Sequence, residues 1–246
     1  LHYASERLKN DKEGALAAVK KNGWDLQYAS EWLQDNKTAV LIAVKNDGDD
    51  LLYASERLQD DKEVVLAAVK HDGYALEYVS ERLQDDKEVV LAAVKKNGYV
   101  FGYASNRLRD DKEVVLAAGK NDGYDLQYAS ERLQDDKEVV LAAVKNDIYA
   151  LNYASDRLRN NKEVVTWAYY QVASSFKYAS KELKCNKKFL NQLFNFSPSL
   201  IFNNCHYSIR KHPDVYLPVL ESHPSACWRF SPNVLLKLDF SSLPLK

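Results

Sequence analysis

The residues with the strongest intrinsic chemistry lie late in the chain: Cys185, Cys205, His206, His212, His223 and Cys227. Thiolates and imidazoles are zinc ligands, but a structural zinc needs about four of them converging on one point, and this spacing matches no compact finger. Other reactive side chains recur along the chain. A serine appears at Ser5, Ser30, Ser55, Ser80, Ser105, Ser130, Ser155 and Ser180, and a tyrosine stands two residues before each, from Tyr3 to Tyr178. A nucleophilic serine needs a base beside it, and no histidine recurs with these. Catalysis is the work of a unique constellation, so a serine present in every segment is expected to be structural, bonding a carbonyl one helical turn earlier. The tyrosine is expected to be half-buried, with its hydroxyl partnered on the adjacent segment. Neither catalytic residues, nor a metal, nor a cofactor is expected.

Two further rows could bind something. Lysine recurs from Lys12 to Lys187, at the start of a helical pattern where a cation opposes the helix dipole. A ladder of ion pairs with Glu6, Glu31, Glu56, Glu81, Glu131 and Asp156 would offset that. Nucleic acid is disfavoured as a partner for this row, because Asp60-Asp61, Asp85-Asp86, Asp110-Asp111 and Asp135-Asp136 sit in the same loops and repel phosphate. The second row combines Trp24, Tyr74, Tyr99, Tyr124 and Tyr149 with Lys20, Lys45, Lys70, Lys95, Lys120 and Lys145, while the intervening residues vary. Rings, cations and variation are how a repeat protein individualises a surface, so partner contact is expected at Trp24, Tyr74, Tyr99, Tyr124, Tyr149, Lys45, Lys70, Lys95 and Lys120. The competing reading is that these rings stack on each other along the edge.

All of these rows share a period of 25 residues, without insertion from Tyr3 to Tyr178. In one unit, Leu51, Ala54 and Leu58 form an apolar stripe on a first helix, with Glu56 and Arg57 facing away. Asp60 or Asp61 can cap a second helix, Asp60 with Glu63 in the capping-box relation. Its body, Val64-Val65-Leu66-Ala67-Ala68-Val69, is apolar on every side and is expected to be covered by stacked neighbours. Gly73 closes it, suited to the left-handed conformation. Regular glycines and acidic caps exclude one continuous coiled coil. The fold expected is all-α, an α-solenoid of about nine helix-pair repeats with a degenerate C-terminal cap.

The pattern is regular over residues 1–186. Residues 187–246 read as degenerate repeats forming a cap and tail, since all 6 prolines and 3 cysteines fall at or after Cys185. The unit from Asp72 to Lys95, D-G-Y-x-L-x-Y-A-S-E-R-L-Q-D-D-K-E-V-V-L-A-A-V-K with Val79 for the alanine, resembles the repeats of the domain of unknown function 4116. The resemblance implies a tandem helical repeat, seen in protists, large DNA viruses and some intracellular bacteria, with no assigned activity.

The chain has 246 residues, 46% hydrophobic and 28% charged, with a net charge of -1 and no methionine. No run of about 18 apolar residues suggests a membrane span. Few cysteines fit a reducing, cytoplasmic compartment; with no initiator methionine the chain is expected to be a fragment whose native N-terminus lies elsewhere. The function expected is a non-enzymatic scaffold for a protein partner. A substrate-targeting arm of a larger enzyme is the alternative, with nucleic-acid binding less favoured.

Overall fold

The structure, a computed structural model, describes residues 1–3, 5, 7 and 11–194. Every regular element among them is helical. Each repeat contains a ten-residue α-helix, a six-residue 3₁₀ turn and one short α-helical turn. In one unit these are Lys62–His71, Gly73–Tyr78 and Glu81–Gln84. The long helix starts where expected, but Asp61 caps it, its Oδ1 accepting from the N–H groups of Glu63 and Val64 at 3.0 and 3.3 Å. Asp60 is not part of a capping box; it closes the preceding short helix Glu56–Gln59.

The first helix of the expected pair is interrupted. Leu51, Ala54 and Leu58 are all buried and Glu56 and Arg57 are exposed. Yet Leu51 belongs to the 3₁₀ turn Gly48–Tyr53 and Leu58 to Glu56–Gln59. Ala54 and Ser55 between them are extended. The break has a local cause: the Ser55 side chain accepts from the Leu58 N–H at 3.4 Å, and an N-cap serine takes non-helical angles. The recurring serine is therefore a cap at the entry to a helix rather than a hydroxyl within one.

The glycine also has a different role. No residue described has positive φ, and the long helix Lys62–His71 ends in extended backbone at Asp72. What requires glycine is close approach: a Cβ on Gly73 would lie 2.6 Å from the Ala93 carbonyl oxygen of the next long helix, and one on Gly48 would lie 2.7 Å from that of Ala68. The Gly73 N–H donates to Asn97 Oδ1 at 2.9 Å across this contact.

Backbone contacts divide the chain into two units, Leu1–Leu133 and Gln134–Lys246. In the first, the long helices Lys37–Asn46, Lys62–His71, Lys87–Lys96 and Lys112–Asn121 pack in succession, and the 3₁₀ turns stack beside them. Three layers share the core: Val65, Ala68 and Val69 from a long helix, Leu76 from a 3₁₀ turn and Leu83 from a short helix are each 0% exposed. Burying one such aliphatic chain is worth about 1.5–3 kcal/mol, so stability accumulates repeat by repeat. The long helix is not covered all round, however; Leu66 and Ala67 are half-exposed. In the second unit Lys137–Asn146 packs on Lys162–Gln171, where Tyr169 is fully buried, edge-on to Phe176 at 6.2 Å. The fold is an all-helical solenoid of 25-residue tandem repeats. The sequence boundary at 186/187 falls just before the helix Lys187–Phe194; residues 195–246 of the expected cap lie outside the described residues.

Candidate functional site

Each long helix has two ends, and they differ in chemistry. At the N-terminal ends, five of the described junctions between repeats are locked by one network. The Ser80 hydroxyl donates to Asp60 Oδ1, Arg82 Nε donates to the same carboxylate at 2.9 Å, and Arg82 Nη2 donates to the Asp60 carbonyl at 2.7 Å. The Ser80 N–H also donates to the Gln59 carbonyl at 3.2 Å. The pattern repeats as Asp35–Ser55–Arg57, Asp85–Ser105–Arg107, Asp110–Ser130–Arg132 and, in the second unit, Asp135–Ser155–Arg157. The Ser80 hydroxyl first, then the Arg82 guanidinium, holds the Asp60 carboxyl below its ordinary value.

The lysine row joins the same end. Lys62 pairs with Asp86 at 2.8 Å and Glu88 at 2.9 Å, Lys87 with Asp111 and Glu113, and Lys37 with Asp61 and Glu63. The ion-pair ladder expected from the sequence is present, but its acids are these caps and first-turn glutamates of the next repeat. They are not the Glu31, Glu56 and Glu81 series. Hydrogen bonds from Lys62 to Asp86 and then Glu88 raise the lysine's pKa.

Exceptions show that the networks are specific. Where Asn36 and Thr38 replace the two acids, Lys12 instead lies over the Trp32 ring, 4.6 Å from its centroid. Where Asn160 replaces the clamp aspartate, Glu182 replaces the arginine, and Asn160 Nδ2 donates to Glu182 Oε2 at 2.6 Å. The Ser180 hydroxyl still donates to Asn160 Oδ1 at 2.6 Å.

At the C-terminal ends the rings face solvent: Trp24 is 60% exposed, Tyr99 58%, Tyr149 47%, Tyr74 41% and Tyr124 38%. Asp72 and Asp122 cap the 3₁₀ turns through the N–H groups of Tyr74 and Tyr124, both at 2.9 Å, which fixes the ring-bearing backbone. Two of the recurring tyrosines are hydrogen-bonded across repeats: Trp24 Nε1 donates to Tyr53 Oη at 2.6 Å, and Tyr103 hydrogen-bonds Glu77, which raises the phenol's pKa. Ring contact along the edge occurs at Tyr99 and Tyr124, 6.5 Å apart, and within the second unit at Tyr149 and Tyr178, 5.8 Å apart.

Lys45, Lys70, Lys95 and Lys120 are exposed, as expected. Lys95 and Lys120 border a groove of about 460 Å³ with Leu91 and Leu116 on the long-helix face, to one side of the rings. Lys145 of this row lies 5.9 Å from the Trp167 centroid, and the cation over Tyr149 is Lys177, at 5.1 Å, a residue the sequence did not single out.

The repeats of the domain of unknown function DUF4116 match residues 1–34, 13–59, 36–84, 61–109, 86–134, 111–159 and 136–184. The chain belongs to this family. The overlapping matches follow the 25-residue period, and the DUF4116 repeat seen here is the long helix, 3₁₀ turn and short helix described above. Comparison with curated proteins and with solved structures finds no match. Among the described residues, no helix is long and apolar enough to cross a membrane, and no group of three or more His, Cys, Asp or Glu is placed to hold a metal ion. Cys185 is exposed; Cys205, His206, His212, His223 and Cys227 lie outside the described residues, as do Glu6 and Leu8.

Proposed function

We propose that this DUF4116 chain is a non-enzymatic scaffold for a protein partner, bound along the C-terminal ends of the long helices. The observation that carries this reading is the difference in surface chemistry between the two ends. Asp60, Ser80 and Arg82 use their polar groups on one another and Lys62 uses its ammonium on Asp86 and Glu88, while Trp24, Tyr74, Tyr99, Tyr124 and Tyr149 present large rings to solvent, those of Tyr74, Tyr124 and Tyr149 from a backbone capped by Asp72, Asp122 and Asp147. Rings fixed in this way supply contact area at low entropic cost, and such residues dominate measured interfaces. The absence of catalysis is part of the proposal, as is a cytoplasmic location.

The test starts from a partner captured from the source cell. Alanine at Tyr74, Tyr99 and Tyr124 together should weaken its binding by about tenfold or more while the helical circular dichroism is unchanged. Loss of binding on alanine substitution of Lys62, Lys87 and Lys112, with the tyrosine variant binding normally, would place the surface at the other end.

A further inference from the structure

Within the first unit, a cleft of about 610 Å³ opens on the ring-bearing side, walled by Trp24, Tyr53 and Tyr78 and floored by Asp47, Asp49 and Asp50. Asp50, like Asp125 at the same register three repeats on, is a buried carboxylate: it is only 4% exposed, and its Oδ2 has no hydrogen-bond partner. That oxygen lies so close to Gly23 that a Cβ there would be 1.9 Å away. The fold does not require a carboxylate at this register, because Ala75 and Val100 occupy it in the next two repeats at 0% exposure. Burial, then Asp47 and Asp49, pushes the Asp50 carboxyl up to about 7. Asp49 is pushed up as well, by burial and then by Asp72, Asp47 and Glu77. Several carboxylates thus crowd one cleft with no described cation in ion-pair contact.

Lys20 and Lys21 also line the cleft, both exposed, and no ion pair joins either to these acids. Their presence makes an anion the rival occupant. The acids outnumber them, and the aromatic walls favour the opposite sign: the face of a ring attracts a cation, about 0.5–2 kcal/mol depending on desolvation. Trp24 is held for this by its 2.6 Å bond to Tyr53 Oη.

We propose that this cleft binds a guanidinium or primary ammonium group, presented by an arginine or lysine side chain of the partner. The cation sits against the Trp24 and Tyr78 rings and bonds the Asp49 and Asp50 carboxylates. This rests on the reading of the ring-bearing ends as the partner surface and specifies what one part of it recognises.

The experiment is a titration of the full chain followed by nitrogen–proton correlation NMR, with the Trp24 indole signal assigned through Trp24→Phe. The probes are N-acetyl-Gly-Arg-Gly-amide, the same peptide with citrulline, the same peptide with glutamate, and agmatine. Saturable shifts of the Trp24 indole with the arginyl peptide, at least tenfold weaker in Asp49→Asn and in Asp50→Ala, are expected. Substituting Lys20 and Lys21 by glutamine should tighten it. Agmatine, which carries the guanidinium without the peptide backbone, should shift the same indole signal. Equal shifts with citrulline, preference for the glutamyl peptide, no saturation, or full affinity in both aspartate variants would overturn the proposal. If Asp49→Asn and Asp50→Ala bind the captured partner normally while the Tyr74, Tyr99 and Tyr124 variant does not, the cleft assignment fails and the surface assignment stands.

Discussion

The two ends of the long helices are built from the same period and have opposite degrees of freedom. At the N-terminal end, Asp60, Ser80 and Arg82 bond one another and Lys62 bonds Asp86 and Glu88, and where the clamp aspartate becomes Asn160 its arginine becomes Glu182 and the two still bond. At the C-terminal end, the backbone is tightly determined by Asp72 and Gly73, while the residues projecting from it vary from repeat to repeat. A repeat protein can thus put its joints and its variable surface at opposite ends of one helix, so that variation at the surface does not loosen the joint.

The largest expected effect concerns a residue at the variable end that works against stability. Asp125 is 1% exposed, neither of its carboxylate oxygens has a partner, and burial, then Asp122, pushes its carboxyl up to about 8. A carboxyl raised on folding keeps its full contribution only below its unfolded value. Stability is then lost as pH rises from near 4 through about 8. Asp125→Ala copies Ala75 and should raise stability above pH 8 by about 3 kcal/mol, with little gain near pH 4. Denaturant titrations at the two pH values measure this. An equal gain at both would mean that packing, not charge, is responsible.

Next in size, Gly73→Ala forces a Cβ against the Ala93 carbonyl and should lower stability by about 1–3 kcal/mol, read as a lower urea midpoint. A neutral result would show that the joint at this end can open, and the contrast between a fixed backbone and variable side chains would lose its basis. The smallest change is at the other end. Ser105→Ala removes both the cap on Leu108 N–H and the donor to Asp85, and should cost about 1 kcal/mol, with partner binding unaffected.

The period, the long helix and its burial are legible in the sequence because they depend on local pattern: Val64, Val65, Ala68 and Val69 are buried as their spacing requires. The joints are not legible in that way. Asp60 and Asp61 are both competent caps, and what separates them is a serine and an arginine in the following repeat, 20 and 22 residues away. One signal was available within the chain. The position of Asp61 tolerates asparagine, as at Asn36 and Asn161, and asparagine caps as well. The position of Asp60 changes to Asn160 in the repeat followed by Glu182. Glycine shows a different limit, since a left-handed turn and a close approach both exclude a Cβ and only coordinates distinguish them. The lone carboxylates at Asp50 and Asp125 gave no sequence warning, because aspartate at a helix start is ordinary and its burial depends on the neighbouring repeat.

The clamps at Asp35, Asp60, Asp85, Asp110 and Asp135 and the pairs of Lys37, Lys62 and Lys87 reach only the adjacent repeat, and with the same atoms. Excising Lys62 to Asp86 would leave Asp61 to cap the helix begun by Lys87 and Asp60 to receive Ser105 and Arg107, so the cut ends carry matching halves of one fastening. Unequal recombination between such near-identical stretches of a gene would therefore lengthen or shorten the array without spoiling a joint, whereas the gain or loss of a single codon would misalign one at once.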